Sequence, residues 1–550
     1  MPNKKILVTG GDSMKISLSF IIACVLASIS GAFMLALMDS NHNWGGDFSQ
    51  YIAQAQAIIN GTIPTQIANN TLMMSLNDFP YGPNVYPWGY PLLLAPVLAL
   101  FGEDLLALKC VNIAFFMLFI FCFYAYVARR FSTQASIALT LAFALNPMLL
   151  NFASNNILSD ISYMCISFVA VVGLQTLLAQ MGQVDKSSSA NTTTTFNMSN
   201  TTNISLGGGH KSLGLLALLG GGFMLAAYLI RSNGIAVLAT LCALHLYFIT
   251  RIHTIPRIRI LPIRLVALNA LPYVVFVLGI LLVRYTLDSS GGEGHIAVLL
   301  ESISLKTIVR NALYYAGIFC DFFALPNPLA LLAPSLLESK YAFLLPNPLG
   351  LLVWAICVYF LVLGLKACYK RDIFAALFVG ISLGILILWP PLQGIRFVFC
   401  VLPFMAIWIA YGMRKVYDRR PRAIALFIAL VLGYFVLKDS YHLLARYNAL
   451  PKPILDLRSK PTPQAFDLES KRVYAFITTH TSPNDTIVFF KPRVLYLATN
   501  RLSYGTRVLE RLDKAQYLLE SSFAPLFDEK ELAHFPIVYA SEHFTLYDLR

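Results

Sequence analysis

The chain has 550 residues, of which 57% are hydrophobic and 13% charged, and its mean hydropathy is +0.65. A water-soluble fold is excluded, because one core cannot hide that much apolar surface. The formal charge of +13 is of the kind that attracts nucleic acid, but the placement of the Lys and Arg residues, taken up below, excludes that too.

The opening MPNKKILVTGGDSMK looks like a strand and glycine turn of a dinucleotide site, yet no GxGxxG follows and an apolar run begins at once. That run is long and has no A-x-A end, so it reads as a retained span and not a cleaved signal. Runs near the roughly 20 residues that cross a bilayer recur at about 16–38, 108–128, 133–150, 161–180, 213–230, 234–250, 265–283, 350–366, 372–389, 397–413 and 423–438, eleven expected spans.

The first outer loop, 39–107, holds two unusual pieces. DFSQYIAQAQAII predicts a short surface helix with Phe48, Tyr51, Ile52, Ala55, Ile58 and Ile59 on its apolar side. YPWGYPLLLAPVLALFG (86–102) is apolar but carries Pro87, Pro91 and Pro96, which predicts an interfacial or re-entrant element.

Farther on, 186–211 is a polar low-complexity linker. Its sequons at Asn191, Asn197, Asn200 and Asn203 face the cytoplasm and read as by-products of composition. The long outer loop 284–349 contains LPNPLALL at 325 and LPNPLGLL at 345, either two interfacial patches lining a groove or, for the second, a turn into the eighth span. Residues 1–438 therefore form a polytopic α-helical module, and 439–550 a small α/β domain. In that domain DLESKRVYAFITTH and RVLERLDKAQYLLESS predict helices, while TIVFF, FPIVYAS and HFTLYDL predict strands.

With a cytoplasmic N-terminus, the inside segments carry 19 of the 41 basic residues and the outside loops up to 437 carry seven. This is the positive-inside bias, so the charge reports topology and no nucleic-acid partner is implied. An odd number of spans puts the C-terminal domain outside, and the expected location is the bacterial inner membrane. The nine cysteines stand singly, nearly all within spans, which implies neither a disulfide framework nor a CxxC metal site.

The span interiors hold almost no ionisable residues, His245 being the main exception. Ion-coupled transport usually needs such relays in mid-bilayer. The charge gathers instead at the outer ends: Asp47, Asp160 in NNILSDIS, Arg231 in LIRSNG and Arg396 in GIRFVFCVLPF. Singly, Asp47 with Gln50 reads as a capping box, Asp160 as an N-cap, and the arginines as snorkelling anchors. As a set on one side they suit a carboxylate base with guanidinium groups on a phosphate. No Lys or Arg occurs from 39 to 105, so Asp47 is expected to have no nearby cation to quench it.

These pieces, with GGDFSQYIAQAQAIINGTIP and YPWGYPLLLAPVLALFG, resemble the polyprenyl-phosphate-dependent glycosyltransferases of the GT-C fold, which include the aminoarabinose transferases of lipid A and the protein O-mannosyltransferases. The resemblance runs over about 16–250 and more loosely to about 440. It implies that Asp47 is the base that inverts the anomeric centre, that Asp160 is the second acid, and that Arg231 and Arg396 hold the phosphate of a polyprenyl-phosphate sugar. Tyr51, His42 and Tyr86 fall on the expected cavity wall.

The sequence departs from that pattern at two places. Relatives often show Asp-Glu where this chain has Asp47 and Phe48, and a lysine where it has Arg231. The implied acceptor is a lipid, glycan or protein. No cofactor follows from the residues: a divalent ion would have only Asp47 and Asp160, a thin site. The competing readings are a transporter or lipid flippase, or a polytopic protein that presents its outer tail to a partner.

Overall fold

A computed structural model of the chain describes residues 11–78, 82–187, 210–252, 263–287, 304–329, 347–389, 392, 394–446 and 463–550. In chain order the helices of the first part are α1 (Gly11–Leu37), α2 (Gly46–Asn60), α3 (Ile63–Leu76), α4 (Gly89–Phe101), α5 (Leu105–Val127), α6 (Thr133–Ala144), α7 (Pro147–Asn155), α8 (Asp160–Ser187), α9 (His210–Ile230), α10 (Ile235–Ile252), α11 (Ile263–Leu287), α12 (Leu305–Ile318), α13 (Pro348–Cys368), α14 (Ile373–Leu388), α15 (Leu402–Tyr417) and α16 (Pro421–Arg446). Among the described residues eight of these, α1, α5, α8, α9, α10, α11, α13 and α16, are long and apolar enough to cross a membrane.

The eleven expected spans differ from these eight at three places. The run 133–150 is broken into α6 and α7, bent by 49°. Pro147 opens α7 and Asn146 caps it, its Oδ1 accepting the Leu149 N–H at 3.0 Å, so the helix must restart there. The runs 372–389 and 397–413 form α14 and α15, each of 16 residues. At about 1.5 Å per residue that is about 24 Å, shorter than the roughly 30 Å of a hydrocarbon core. Both are packed within the bundle: α15 lies so close on α13 that a side chain at Gly364 would strike the Trp408 carbonyl, and one at Gly412 the Phe360 carbonyl.

The four sequons of the polar linker and residues 330–346 lie outside the described residues. From Asn347 the second proline repeat is the start of α13, with Asn347 accepting the Leu349 and Gly350 N–H groups and Pro348 in the first turn. The helix predicted over DFSQYIAQAQAII is α2, but it is packed inside and not laid along a surface: Ser49, Gln50 and Gln54 are buried together with Phe48, Tyr51, Ile52 and Ala55. The proline-rich element is the 13-residue α4. Gly89 sets α4 directly against the Leu229–Ile230 backbone, at the end of α9.

α16 continues past 438 to Arg446 before the C-terminal domain begins. That domain contains α17 (Leu468–His480), β1 (Thr486–Val488), α18 (Pro492–Thr499), β2 (Leu502–Tyr504), β3 (Tyr517–Ser521), α19 (Glu529–Leu532), β4 (Ile537–Ala540) and β5 (Phe544–Asp548). The sheet order is β2-β1-β3-β5-β4, with β1 parallel to β2 and β3, and β5 antiparallel to β3 and β4. The helix expected over RVLERLDKAQYLLESS is instead a 3-10 turn at Leu509–Lys514 followed by β3. All five β3 residues are buried between two partner strands, so tertiary packing overrides helical propensity.

Candidate active site

Four side chains scattered through the chain meet at the end of the bundle that carries the C-terminal domain. α2 begins after Gly45, so Asp47 lies in its first turn, where it makes no side-chain cap. Its Oδ1 accepts the Tyr86 hydroxyl at 2.7 Å and its Oδ2 pairs with Arg396 Nη2 at 2.9 Å. Arg396 sits on the 3-10 turn Ile395–Val398, aimed by Gly394 at φ 73, in the left-handed region.

Asp160 is the first residue of α8, and its Oδ1 takes Arg231 Nη1 at 2.6 Å. Arg231 is an extended residue between α9 and α10, and it also reaches Ser159 Oγ at 3.3 Å. The Phe397 ring lies 4.0 Å from the Arg231 guanidinium and 5.3 Å from that of Arg396, which ties the two ion pairs together.

Neither carboxylate acts as the helix cap that its position in the sequence suggests. Nor is Asp47 free of cations: the expectation that no cation quenches it is corrected by Arg396, which arrives from nearly 350 residues away and which a reading of the local loop cannot see. Burial pushes the Asp47 carboxyl up, but Arg396, the Tyr86 hydroxyl and the charge of Arg231 outweigh it and hold the group below the ordinary carboxylate range. The side chains of Asp47 and Arg396 keep 31% and 22% exposure, against 1% and 13% for Asp160 and Arg231. The Asp47–Arg396 pair is therefore the more open of the two.

Of the residues expected on the cavity wall, Tyr86 touches Asp47. Tyr51 lies one layer behind, with its ring 4.9 Å from that of Tyr86 and its hydroxyl 2.9 Å from Ser159 Oγ. His42 is 1% exposed. Its Nε2 accepts the Ile157 N–H at 3.1 Å, its Nδ1–H donates to the Asn43 carbonyl at 2.9 Å, and its ring stacks on Phe48. Burial pushes the imidazole down to about 4, so it is a neutral pin between the loops that carry Asp47 and Asp160.

Two residues escaped the sequence reading. Lys109, fully buried one turn inside α5, donates to the Asp39 carbonyl at 2.8 Å and to the Asn41 carbonyl at 2.5 Å, fixing the start of the loop between α1 and α2. Its position inside an apolar span was the available signal. Arg493 of α18 donates to Asn70 Oδ1 and to the Pro83 carbonyl, holding the loop before Tyr86. No local pattern marks it. Among the described residues no group of three or more His, Cys, Asp or Glu side chains lies together.

The bundle and the appended α/β domain define an integral membrane protein of the GT-C fold. ArnT from Cupriavidus metallidurans bound to undecaprenyl phosphate is similar over 95% of this chain and 97% of that one, with 13% sequence identity and a TM-score of 0.52. The same protein in the apo state matches over 98% of both chains at 13% identity and a TM-score of 0.50. The archaeal oligosaccharyltransferase AglB from Archaeoglobus fulgidus, in complex with an inhibitory peptide and a dolichol-phosphate, is more distant, with a TM-score of 0.44 and 11% identity over 91% of this chain and 69% of that one. No protein-family model and no curated protein matches the chain. The likeness is one of fold, and it covers the bundle and the C-terminal domain together.

Proposed function

We propose that the protein transfers a sugar, hexose or pentose, from a polyprenyl-phosphate donor to an acceptor hydroxyl at the outer face of a bacterial inner membrane, with inversion. The observation that carries this reading is the partly open Asp47–Arg396 pair, on a fold whose similar structure, ArnT, was crystallised with undecaprenyl phosphate.

The donor phosphate competes with Asp47 for Arg396 and draws the guanidinium to itself. Asp47, relieved of its partner and held by the Tyr86 hydroxyl, accepts the proton of the acceptor O–H. The acceptor oxygen forms its bond to the anomeric carbon as the carbon–phosphate oxygen bond breaks, and that electron pair leaves on the polyprenyl phosphate. Arg396, supported by Arg231, balances the developing charge. Asp160 is a positioning residue that holds Arg231. The acceptor is a lipid, a glycan or a protein.

A divalent ion does not fit this donor set, because each carboxylate already faces a guanidinium.

The reading is tested by reconstituting the full chain in liposomes with a panel of radiolabelled polyprenyl-phosphate sugars and membrane-extract acceptors, and determining the product anomer by NMR. Transfer with inversion is expected. No turnover of any donor, or retention of configuration, would contradict it.

The same exchange of partners sets a pH signature. In the free enzyme Asp47 ionises below the ordinary carboxylate value of about 3.9, so the acid limb of kcat/KM lies low. With the donor bound, Arg396 is drawn away and burial, which raises the group, dominates, so the acid limb of kcat lies at higher pH. Coincident limbs in the two profiles would exclude the exchange.

A further inference from the structure

In the C-terminal sheet the chain goes from β1 through α18 to β2 on one side, while β3 lies on the other side of β1. This is a switch point in the parallel half of the sheet, where the carboxyl ends of the strands leave a crevice suited to a ligand. Here the crevice holds a residue of the membrane module. Trp44, three positions before Asp47, has its ring 5.9 Å from Phe489, 5.1 Å from Phe490 and 5.8 Å from Phe523, and its Nε1–H donates to the Pro463 carbonyl at 2.6 Å. The domain is thereby locked with the carboxyl edge of its sheet over the first turn of α2.

Lys491 follows β1 on that edge and precedes α18, which packs on α2. It is half-buried, its ammonium is 6.0 Å from the Phe490 ring, and it lies within the field of Asp47. Two residues on, the Arg493 guanidinium lies 5.7 Å from the ring of Tyr86, the residue that holds Asp47. The charges of Asp47 and Asp160 are each met by an arginine. Lys491 is a third cation beside them, and among the described residues no carboxylate forms an ion pair with it.

We propose that Lys491 binds the phosphate of the lipid-linked donor, so that the C-terminal domain supplies part of the donor site and is not only a cover. This rests on the donor class proposed above. A partly desolvated ammonium released from no internal partner gains a full charge-assisted contact when the phosphate arrives. Arg396 must first leave Asp47 to do the same.

The test is binding of undecaprenyl phosphate, and of unphosphorylated undecaprenol, to the full chain in nanodiscs by native mass spectrometry. Lys491→Met is expected to weaken the phosphate lipid roughly tenfold or more and to leave the alcohol unchanged, with Lys491→Arg restoring most of the loss. Wild-type affinity in Lys491→Met, or an equal loss of both lipids with no rescue by arginine, would overturn the assignment. If the wild-type protein itself prefers the alcohol or binds neither lipid, the donor class falls and this proposal with it. If wild type and Lys491→Met both hold the phosphate equally, only the role of Lys491 falls.

Discussion

Asp47→Asn is expected to lower kcat for sugar transfer roughly 10²- to 10⁴-fold, the usual contribution of a positioned general base. Asparagine has the same shape, and its Oδ1 still accepts the Tyr86 hydroxyl. What it lacks is a lone pair basic enough to take the acceptor proton. The variant also frees Arg396 from its carboxylate, so donor binding should be unchanged or tighter. A drop in kcat without a rise in donor KM therefore separates loss of the base from damage to the site, and thermal unfolding of the purified variant checks the fold. Transfer at the wild-type rate would remove Asp47 from the chemistry.

Arg231→Met is expected to destabilise the protein more than any other single change at the site. The Asp160 side chain is 1% exposed; one oxygen has Arg231 as its partner and the other has none. Removing the guanidinium takes the hydrogen-bonded partner from a buried charge, a loss of up to about 3–5 kcal/mol that the charge of Arg396 partly offsets. The double variant Arg231→Met with Asp160→Asn removes that charge and should recover much of the loss. Thermal unfolding of the three proteins in one detergent reads this directly. If Arg231→Met melts with the wild type, Asp160 is not the buried anion described here. If the double variant is no better than the single one, the loss comes from packing on Phe397 and not from the charge.

The parts of this structure that were legible in the sequence follow from periodicity and solvent preference. Apolar runs of spanning length mark most of the helices, and the grouping of Asp47, Asp160, Arg231 and Arg396 at helix ends is legible because charge is costly elsewhere in such a chain. The alternation in FPIVYAS and HFTLYDL likewise gives β4 and β5. What was not legible depends on distant contacts. Arg396 as the partner of Asp47, His42 as a pin behind the site, and Lys491 above it are set by how the helices and the C-terminal domain dock, and no local window contains that information. β3 was misread for the same reason: YLLES has helix-forming residues, and only its place at the centre of a sheet makes it a strand. The break at Asn146–Pro147 is the opposite case, a local signal hidden inside a strongly apolar run.

In the proposed reaction a lipid-borne phosphate displaces Asp47 from Arg396. Cryo-electron microscopy of the full chain in nanodiscs with undecaprenyl phosphate tests it most directly. The expected density places the phosphate within hydrogen-bond reach of the Arg396 guanidinium, with Asp47 still on Tyr86 and released from the arginine. A phosphate bound elsewhere on the protein, with the Asp47–Arg396 pair intact, would contradict it.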